Sequence, residues 1–224
     1  MTEPTVVEQL ARVSALIAAS GRNPDEVAIV AVTKGFGVEA CREALAAGLL
    51  MLGENRVQEA LTKMEAVSDA KWHLIGHLQT NKVKQAAGRF ALIQTVDSAR
   101  LAEAIARHAP AQAVLVEVNI AREPQRSGVS PKDAVELVAT ASQQLEVQGL
   151  MGMGPAEGDP SPAFQGLRRL RDEAEQRIGK PLPVLSMGMS GDFQAALAAG
   201  STMLRLGQAL FGPRANAGRA HGAL

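Results

Sequence analysis

Eight short apolar runs alternate with amphipathic stretches, and this alternation restricts the fold more than any other feature of the sequence. The runs are rich in Val, Ile, Leu and Met, which is typical of strands buried on both faces. They occupy residues 27–34, 49–55, 71–78, 91–98, 113–120, 145–153, 182–189 and 202–211. Helical stretches follow the first seven at residues 38–47, 56–67, 80–87, 99–108, 131–144, 163–178 and 191–199. An α/β chain with this number of repeats predicts a closed parallel (β/α)8 TIM barrel rather than an open sheet.

Two segments lie outside the eight repeats. Residues 6–20 carry apolar side chains at helical spacing and predict an extra N-terminal helix. With no linker in the chain, we expect a single domain over residues 1–214. The small, polar residues 215–224 are expected to form a flexible tail.

Composition and charge narrow the function classes. The chain has 23 basic and 23 acidic residues among 224, so no blanket basic surface indicates a nucleic-acid partner. A single cysteine, Cys41, allows no internal disulfide and suits a reducing compartment. The polar N-terminus lacks the pattern of a signal peptide, and no apolar run is long enough for a membrane helix. We expect a cytoplasmic monomer with no membrane or nucleic-acid partner.

Lys34 closes the first apolar run and shares a strand face with Val32 and Val30. Its ammonium is either a solvated group at the rim of the core or a desolvated amine able to form a Schiff base. Function in a parallel barrel gathers where the strands end, so the other strand ends bear on this choice. The polar or flexible candidates at those ends are Asn55, His77, Ser186, Met187, Ser190, Gly207 and Gln208, together with Arg205.

Arg205 lies between leucines in the eighth run. A buried guanidinium needs a partner, and either a barrel carboxylate such as Glu117 or a ligand can provide one. The segment SMGMSGD, residues 186–192, resembles a phosphate-binding turn, with Ser190 able to cap the helix that follows.

Other chemistries have less support. His73 and His77 are too far apart along one strand to share a metal ion, and His73 is expected to be a hydrogen-bonded core residue. No nucleophile elbow, P-loop or dinucleotide-binding motif follows any strand. An amine, a buried arginine and a phosphate-binding turn together favour pyridoxal 5′-phosphate (PLP) as the cofactor, with arginine opposite the pyridine nitrogen.

Six motifs along the chain match those of a known family. They are AVTK at 31–34, GENRVQE at 53–59, WHLIGHLQTNK at 72–82, GLMGM at 149–153, LSMGMSGD at 185–192 and AGSTMLRLGQALFG at 199–212. The chain resembles the PLP homeostasis proteins, a family similar to the N-terminal barrel of alanine racemase. The resemblance implies a Schiff base on Lys34, Arg205 at the ring nitrogen, and Ser186, Ser190 and Gly207 in phosphate-binding segments. Gln208 and Arg126 depart from the family pattern, which has Thr or Ser at the first position and Lys at the second.

The function expected from this resemblance is PLP homeostasis, with delivery of PLP to apo-enzymes and no strong catalysis. The alternative is an amino-acid racemase or a related PLP enzyme. Racemisation needs two bases on opposite faces of the substrate, and the chain has no tyrosine to act as the second. A barrel enzyme acting on another phosphorylated metabolite is a further alternative.

Overall fold

The described part of the chain, residues 4–213 of a computed structural model, folds as a closed parallel barrel in which each strand pairs with the next and β8 pairs with β1. The strands are β1 (Ala28–Val32), β2 (Met51–Glu54), β3 (Lys71–Leu74), β4 (Leu92–Val96), β5 (Ala113–Val118), β6 (Glu146–Gly152), β7 (Val184–Ser186) and β8 (Met203–Leu206). The predicted TIM barrel is thereby confirmed. The predicted tail, 215–224, lies outside the described residues.

Helices surround the barrel. They are α1 (Val6–Ala19), α2 (Val38–Ala46), α3 (Val57–Ala66), α4 (Val83–Ala86), α5 (Ala99–His108), α6 (Ala134–Ala141), α7 (Ser161–Ile178), α8 (Phe193–Ala198) and α9 (Gln208–Phe211). Short 3₁₀ turns cover Pro24–Glu26, Thr80–Lys82 and Pro131–Asp133. The predicted extra helix is α1, which begins with a reciprocal capping box between Thr5 and Glu8 and packs against α9. No helix in residues 4–213 is long and apolar enough to cross a membrane.

Alternation along the strands separates two apolar layers. Inward side chains such as Val30, Leu115 and Met151 fill the barrel. Outward side chains such as Ala31 and Leu52 pack beneath the helices. Because both faces of the strands are buried, their sequences are continuous apolar runs.

Four predicted boundaries are wrong in ways that matter for the site. β1 ends at Val32, so Lys34 lies in the turn after the strand rather than on it. β3 ends at Leu74, so His77 lies in the loop after the strand rather than on it. The eighth run is strand only to Leu206, and its second half forms α9. α8 begins at Phe193 and not at residue 191, which lengthens the loop after β7.

Candidate functional site

A cavity of about 440 Å³ opens at the C-terminal ends of the strands, which we call the barrel mouth. Seven of the nine predicted site residues line it: Lys34, Asn55, His77, Ser190, Arg205, Gly207 and Gln208. Val30 on β1 pairs with Arg205 on β8, so the turn after β1, which carries Lys34, follows the strand next to that of Arg205.

Ser186 and Met187 are not among the residues that line the cavity, and both are fully buried. The Ser186 hydroxyl accepts a hydrogen bond from Arg205 at 2.7 Å and donates one to Gln94 Oε1 at 2.7 Å. The Met187 carbonyl accepts from the Ser201 hydroxyl at 2.7 Å. Ser186 therefore lies inside the barrel below the cavity, whereas Met187 packs between the barrel and the helices.

Arg205 is held rigidly inside the barrel. Its side chain donates to Ser186 Oγ and, at 2.9 Å, to the carbonyl of Gly152, while the residue is only 4% exposed. Burial lowers the pKa of Arg205 to about 10, with the carboxylates of Glu117 and Asp192 opposing the shift, so the guanidinium stays charged at neutral pH. Among the described residues Arg205 makes no ion pair with Glu117.

The hydrogen bonds of Arg205 continue into the barrel as the Arg205 network, which comprises Arg205, Ser186, Gln94 and His73. Gln94 Nε2 lies 3.0 Å from His73 Nδ1. Burial lowers the pKa of His73 to about 4, so its imidazole is neutral at neutral pH and can accept this bond. The expected role of His73 as a hydrogen-bonded core residue is confirmed.

A second group of buried polar residues lies behind Lys34, and sequence reasoning missed it. We call it the Lys63 cluster: Lys63, Glu54 and Glu59. Lys63 Nζ donates to Glu54 Oε1 at 2.6 Å, to Glu59 Oε1 at 3.0 Å and to the carbonyl of Thr33 at 2.9 Å. Burial alone lowers the pKa of Lys63, but its bonds to the two carboxylates outweigh this, and the net pKa is raised.

The Lys63 cluster forms hydrogen bonds to the backbone on both sides of Lys34. Lys63 holds the carbonyl of the preceding residue, Thr33, while Glu59 Oε1 accepts from the amide of the following residue, Gly35, at 3.0 Å. The backbone of Lys34 is thereby fixed by side chains from β2 and α3. These bonds use the backbone of Thr33 and Gly35.

Glycine allows two loops of the mouth to approach closely. A Cβ at Gly76 would lie 2.3 Å from the carbonyl oxygen of Asn55, so only glycine lets these two loops touch. Gly188 has a φ of +99°, and a Cβ there would lie 2.7 Å from Ala196 Cβ. Both glycines therefore shape the mouth.

Ser190 lies in the loop after β7, but it does not cap the helix that follows. Its hydroxyl accepts from the amide of Ala209 in α9 at 3.0 Å, and Asp192 stands at the start of α8. The loop after β7 is thus joined to the segment after β8. Ser190, Gly191, Gly207 and Gln208 together form one wall of the cavity.

Two acidic side chains at the mouth differ in exposure. Asp97 lies 3.3 Å from His77 Nδ1 at the rim, where the His77 side chain is 51% exposed. Glu117 also lines the cavity but is only 2% exposed. Sequence analysis considered Glu117 only as a possible ion-pair partner of Arg205, whereas the structure shows that it lines the cavity.

The fold and the cavity define a (β/α)8 barrel with a polar site at the C-terminal ends of its strands. The family described as alanine racemase, N-terminal domain, matches residues 9–215. Alanine racemase from Corynebacterium glutamicum shares the fold with a TM-score of 0.74 at 18% identity, over 96% of this chain and 63% of that one.

Relatives of similar length have higher sequence identity to this chain. The pyridoxal phosphate homeostasis protein of Aquifex aeolicus is 40% identical over 92% of this chain and 95% of its own, and that of Escherichia coli K12 is 36% identical over 91% and 92%. PipY of Synechococcus elongatus, in a structure with PLP bound, has a TM-score of 0.81 at 33% identity over 93% of this chain and 100% of that one. The chain belongs to the pyridoxal phosphate homeostasis protein family.

Proposed function

We propose that this protein binds PLP in the barrel mouth as a Schiff base on Lys34 and acts in intracellular PLP homeostasis by passing PLP to apo-enzymes. The observation that carries the proposal is that Lys34, in the turn after β1, and Arg205, on the neighbouring β8, line one cavity. The relatives' name and the PLP-bound structure of PipY support it.

The residues of the cavity fit this cofactor. When bound, PLP supplies an aldehyde that condenses with a primary amine, and Lys34 presents such an amine at the mouth. Arg205 is fixed by Ser186 and Gly152, and its remaining N–H groups are donors for the pyridine nitrogen. The wall formed by Ser190, Gly191, Gly207 and Gln208 offers hydroxyl, amide and backbone donors to a phosphate.

Arg205 also favours a carrier over a catalyst. A guanidinium that keeps its proton leaves a facing pyridine nitrogen unprotonated, which weakens the cofactor as an electron sink. The chain has no tyrosine to supply a second base. Delivery of PLP needs reversible binding at an accessible site, and the open cavity at the barrel mouth suits that task.

The test measures both the transfer of PLP to an apo-enzyme and the catalytic turnover of this protein. Holo-protein freed of unbound PLP is mixed with the apo-form of a PLP-dependent enzyme, whose recovered activity is followed. We expect transfer without racemase or transaminase turnover on alanine, serine or glutamate. Turnover above about 1 s⁻¹ that Lys34→Ala abolishes would contradict the carrier proposal and establish an enzyme.

A further inference from the structure

Glu117 is a buried acid that the proposed PLP site does not yet use. β5 directs Leu115 and Glu117 into the barrel, and Glu117 reaches the cavity that Lys34 and Arg205 also line. Only 2% of the residue is exposed, so the carboxyl group is removed from bulk water. A buried polar group needs a partner, and the two oxygens of Glu117 differ in this respect.

One oxygen is satisfied by the protein and the other is not. Glu117 Oε1 accepts from the Ser127 hydroxyl at 2.8 Å. Oε2 is buried and has no hydrogen-bond partner within residues 4–213. Arg205, a donor that lines the same cavity, gives its hydrogen bonds to Ser186 and Gly152 instead.

The surroundings favour the neutral form of this acid. Burial raises the pKa of Glu117 and Asp97 adds to the increase, while Ser127, Arg205 and His77 oppose it. Lys34 is the other basic side chain lining the cavity. Because Oε1 is occupied as an acceptor, the proton of the neutral acid belongs on Oε2. An apolar site can keep a carboxylic acid neutral so that it donates a hydrogen bond.

We propose that Glu117 is a ligand-contacting residue whose Oε2–H donates a hydrogen bond to the phenolic oxygen of the bound cofactor. This inference rests on the proposed function and extends it. Lys34 is assigned to the aldehyde, Arg205 to the pyridine nitrogen and the Ser190 wall to the phosphate, and the phenolic oxygen is the remaining strong acceptor. The contact selects a 3-hydroxypyridine and satisfies the unpartnered oxygen of Glu117.

Two variants distinguish a neutral hydrogen-bond donor at position 117 from a charged carboxylate. In Glu117→Gln, the amide oxygen can accept from Ser127 and the amide nitrogen can donate to the ligand, so it copies the neutral acid. Glu117→Met keeps a similar side-chain length and removes both functions. The probe is pyridoxine 5′-phosphate, which keeps the phenol but has no aldehyde to react with Lys34. Its 3-deoxy analogue, which lacks the phenolic oxygen, is the matched control ligand.

We expect Glu117→Gln to bind pyridoxine 5′-phosphate within about twofold of the original protein at a pH below the pKa of Glu117, and Glu117→Met to bind roughly 5- to 150-fold more weakly. Both variants should bind the 3-deoxy analogue as the original protein does. Equal weakening by Gln and Met would overturn the neutral-donor assignment. Equal losses with both ligands would overturn the assignment of the phenolic oxygen.

The pH dependence provides a second readout. The ratio of the affinity of the original protein to that of Glu117→Gln should fall as the pH rises through the raised pKa of Glu117, because the ionised carboxylate no longer donates. A ratio that stays constant or rises with pH would contradict the proposal. Borohydride trapping of PLP on Lys34 does not depend on this contact, so it can succeed when the Glu117 assignment fails.

Discussion

The Lys63 cluster and the Arg205 network serve the same cavity by opposite means. The Lys63 cluster is made of charged side chains outside the barrel wall, and it holds the backbone around Lys34 through Thr33 and Gly35. The Arg205 network lies inside the barrel, and beyond Arg205 it consists of neutral groups that hold the guanidinium itself.

The difference matches what the proposed function requires of each residue. A lysine that forms and releases a covalent bond needs a fixed backbone and an amine that can move. An arginine that only donates to a ring nitrogen needs its side chain fixed, because preorganised donors cost less to align on binding. The predictions at Lys63, His73 and Arg205 each perturb one of the two groups and leave the other intact, and the prediction at Gln208 leaves both intact.

The largest effect is expected from Lys63→Met. This change leaves Glu54, which is fully buried, without its ion-pair partner, and such a loss costs about 3–5 kcal/mol of unfolding free energy. Urea unfolding measures the loss. If the single variant is as stable as the original protein, the buried ion pair contributes nothing.

The double variant Glu54→Gln, Lys63→Met separates stability from positioning. With both charges gone, much of the stability should return, but the bond from Lys63 to the Thr33 carbonyl stays lost. PLP should therefore still react more slowly with Lys34 than in the original protein. Full recovery of both stability and reaction rate would show that the cluster has only a structural role.

The second prediction concerns acid stability and His73. Its folded pKa of about 4 lies below the ordinary 6.5, so the unfolded chain binds a proton first as the pH falls. Stability should decline between about pH 6.5 and pH 4, by about 3 kcal/mol at most. In His73→Asn, whose amide can accept from Gln94, that part of the decline should disappear. An unchanged pH profile would place the acid sensitivity elsewhere.

Replacement of Arg205 by alanine should weaken PLP binding while the barrel still folds. The ring nitrogen and the Ser186 hydroxyl each lose a donor, which costs about 1–3 kcal/mol of binding free energy. The matched control is Arg12→Ala, an exposed arginine on α1. Spectroscopic titration with PLP measures both variants, and equal affinities would give Arg205 a structural role only.

The smallest effect is expected at Gln208, the exposed residue of the cavity wall. Gln208→Thr restores the hydroxyl that the family pattern has at this position, and PLP affinity should change by no more than about twofold, as for most surface substitutions. A much larger gain would show that the phosphate wall is incomplete in this chain.

The alternation of side chains between the two faces of a strand explains most of what the sequence could predict and what it could not. The apolar runs predicted the barrel, and the residues at the strand ends predicted seven positions of the cavity. Ser186 and Met187 were placed at the mouth because the turn after β7 begins near them, yet Ser186 faces the barrel interior below it and Met187 packs beneath the helices. A shift of one or two residues along a strand moves a side chain to the other face or to a deeper layer.

The Lys63 cluster was missed although the sequence contains a signal for it. Glu54 has the same parity as Leu52, which faces the helices, so its carboxylate had to meet a helical partner. Glu59 and Lys63 lie four residues apart on α3, which places them on one helical face. The hydroxyl of Ser127, which comes from the loop after β5 to meet Glu117, has no comparable signal, because loop geometry does not follow a period.

Borohydride reduction of the PLP-loaded protein, followed by peptide mass spectrometry, tests the central claim most directly. Reduction fixes PLP covalently on the lysine that holds it, and the account predicts that Lys34 carries the main adduct. Lys34→Ala should lose both the adduct and the visible absorption band, whereas the exposed Lys71→Ala should keep both. A main adduct on any other lysine, or an unchanged visible band in Lys34→Ala, would contradict the account.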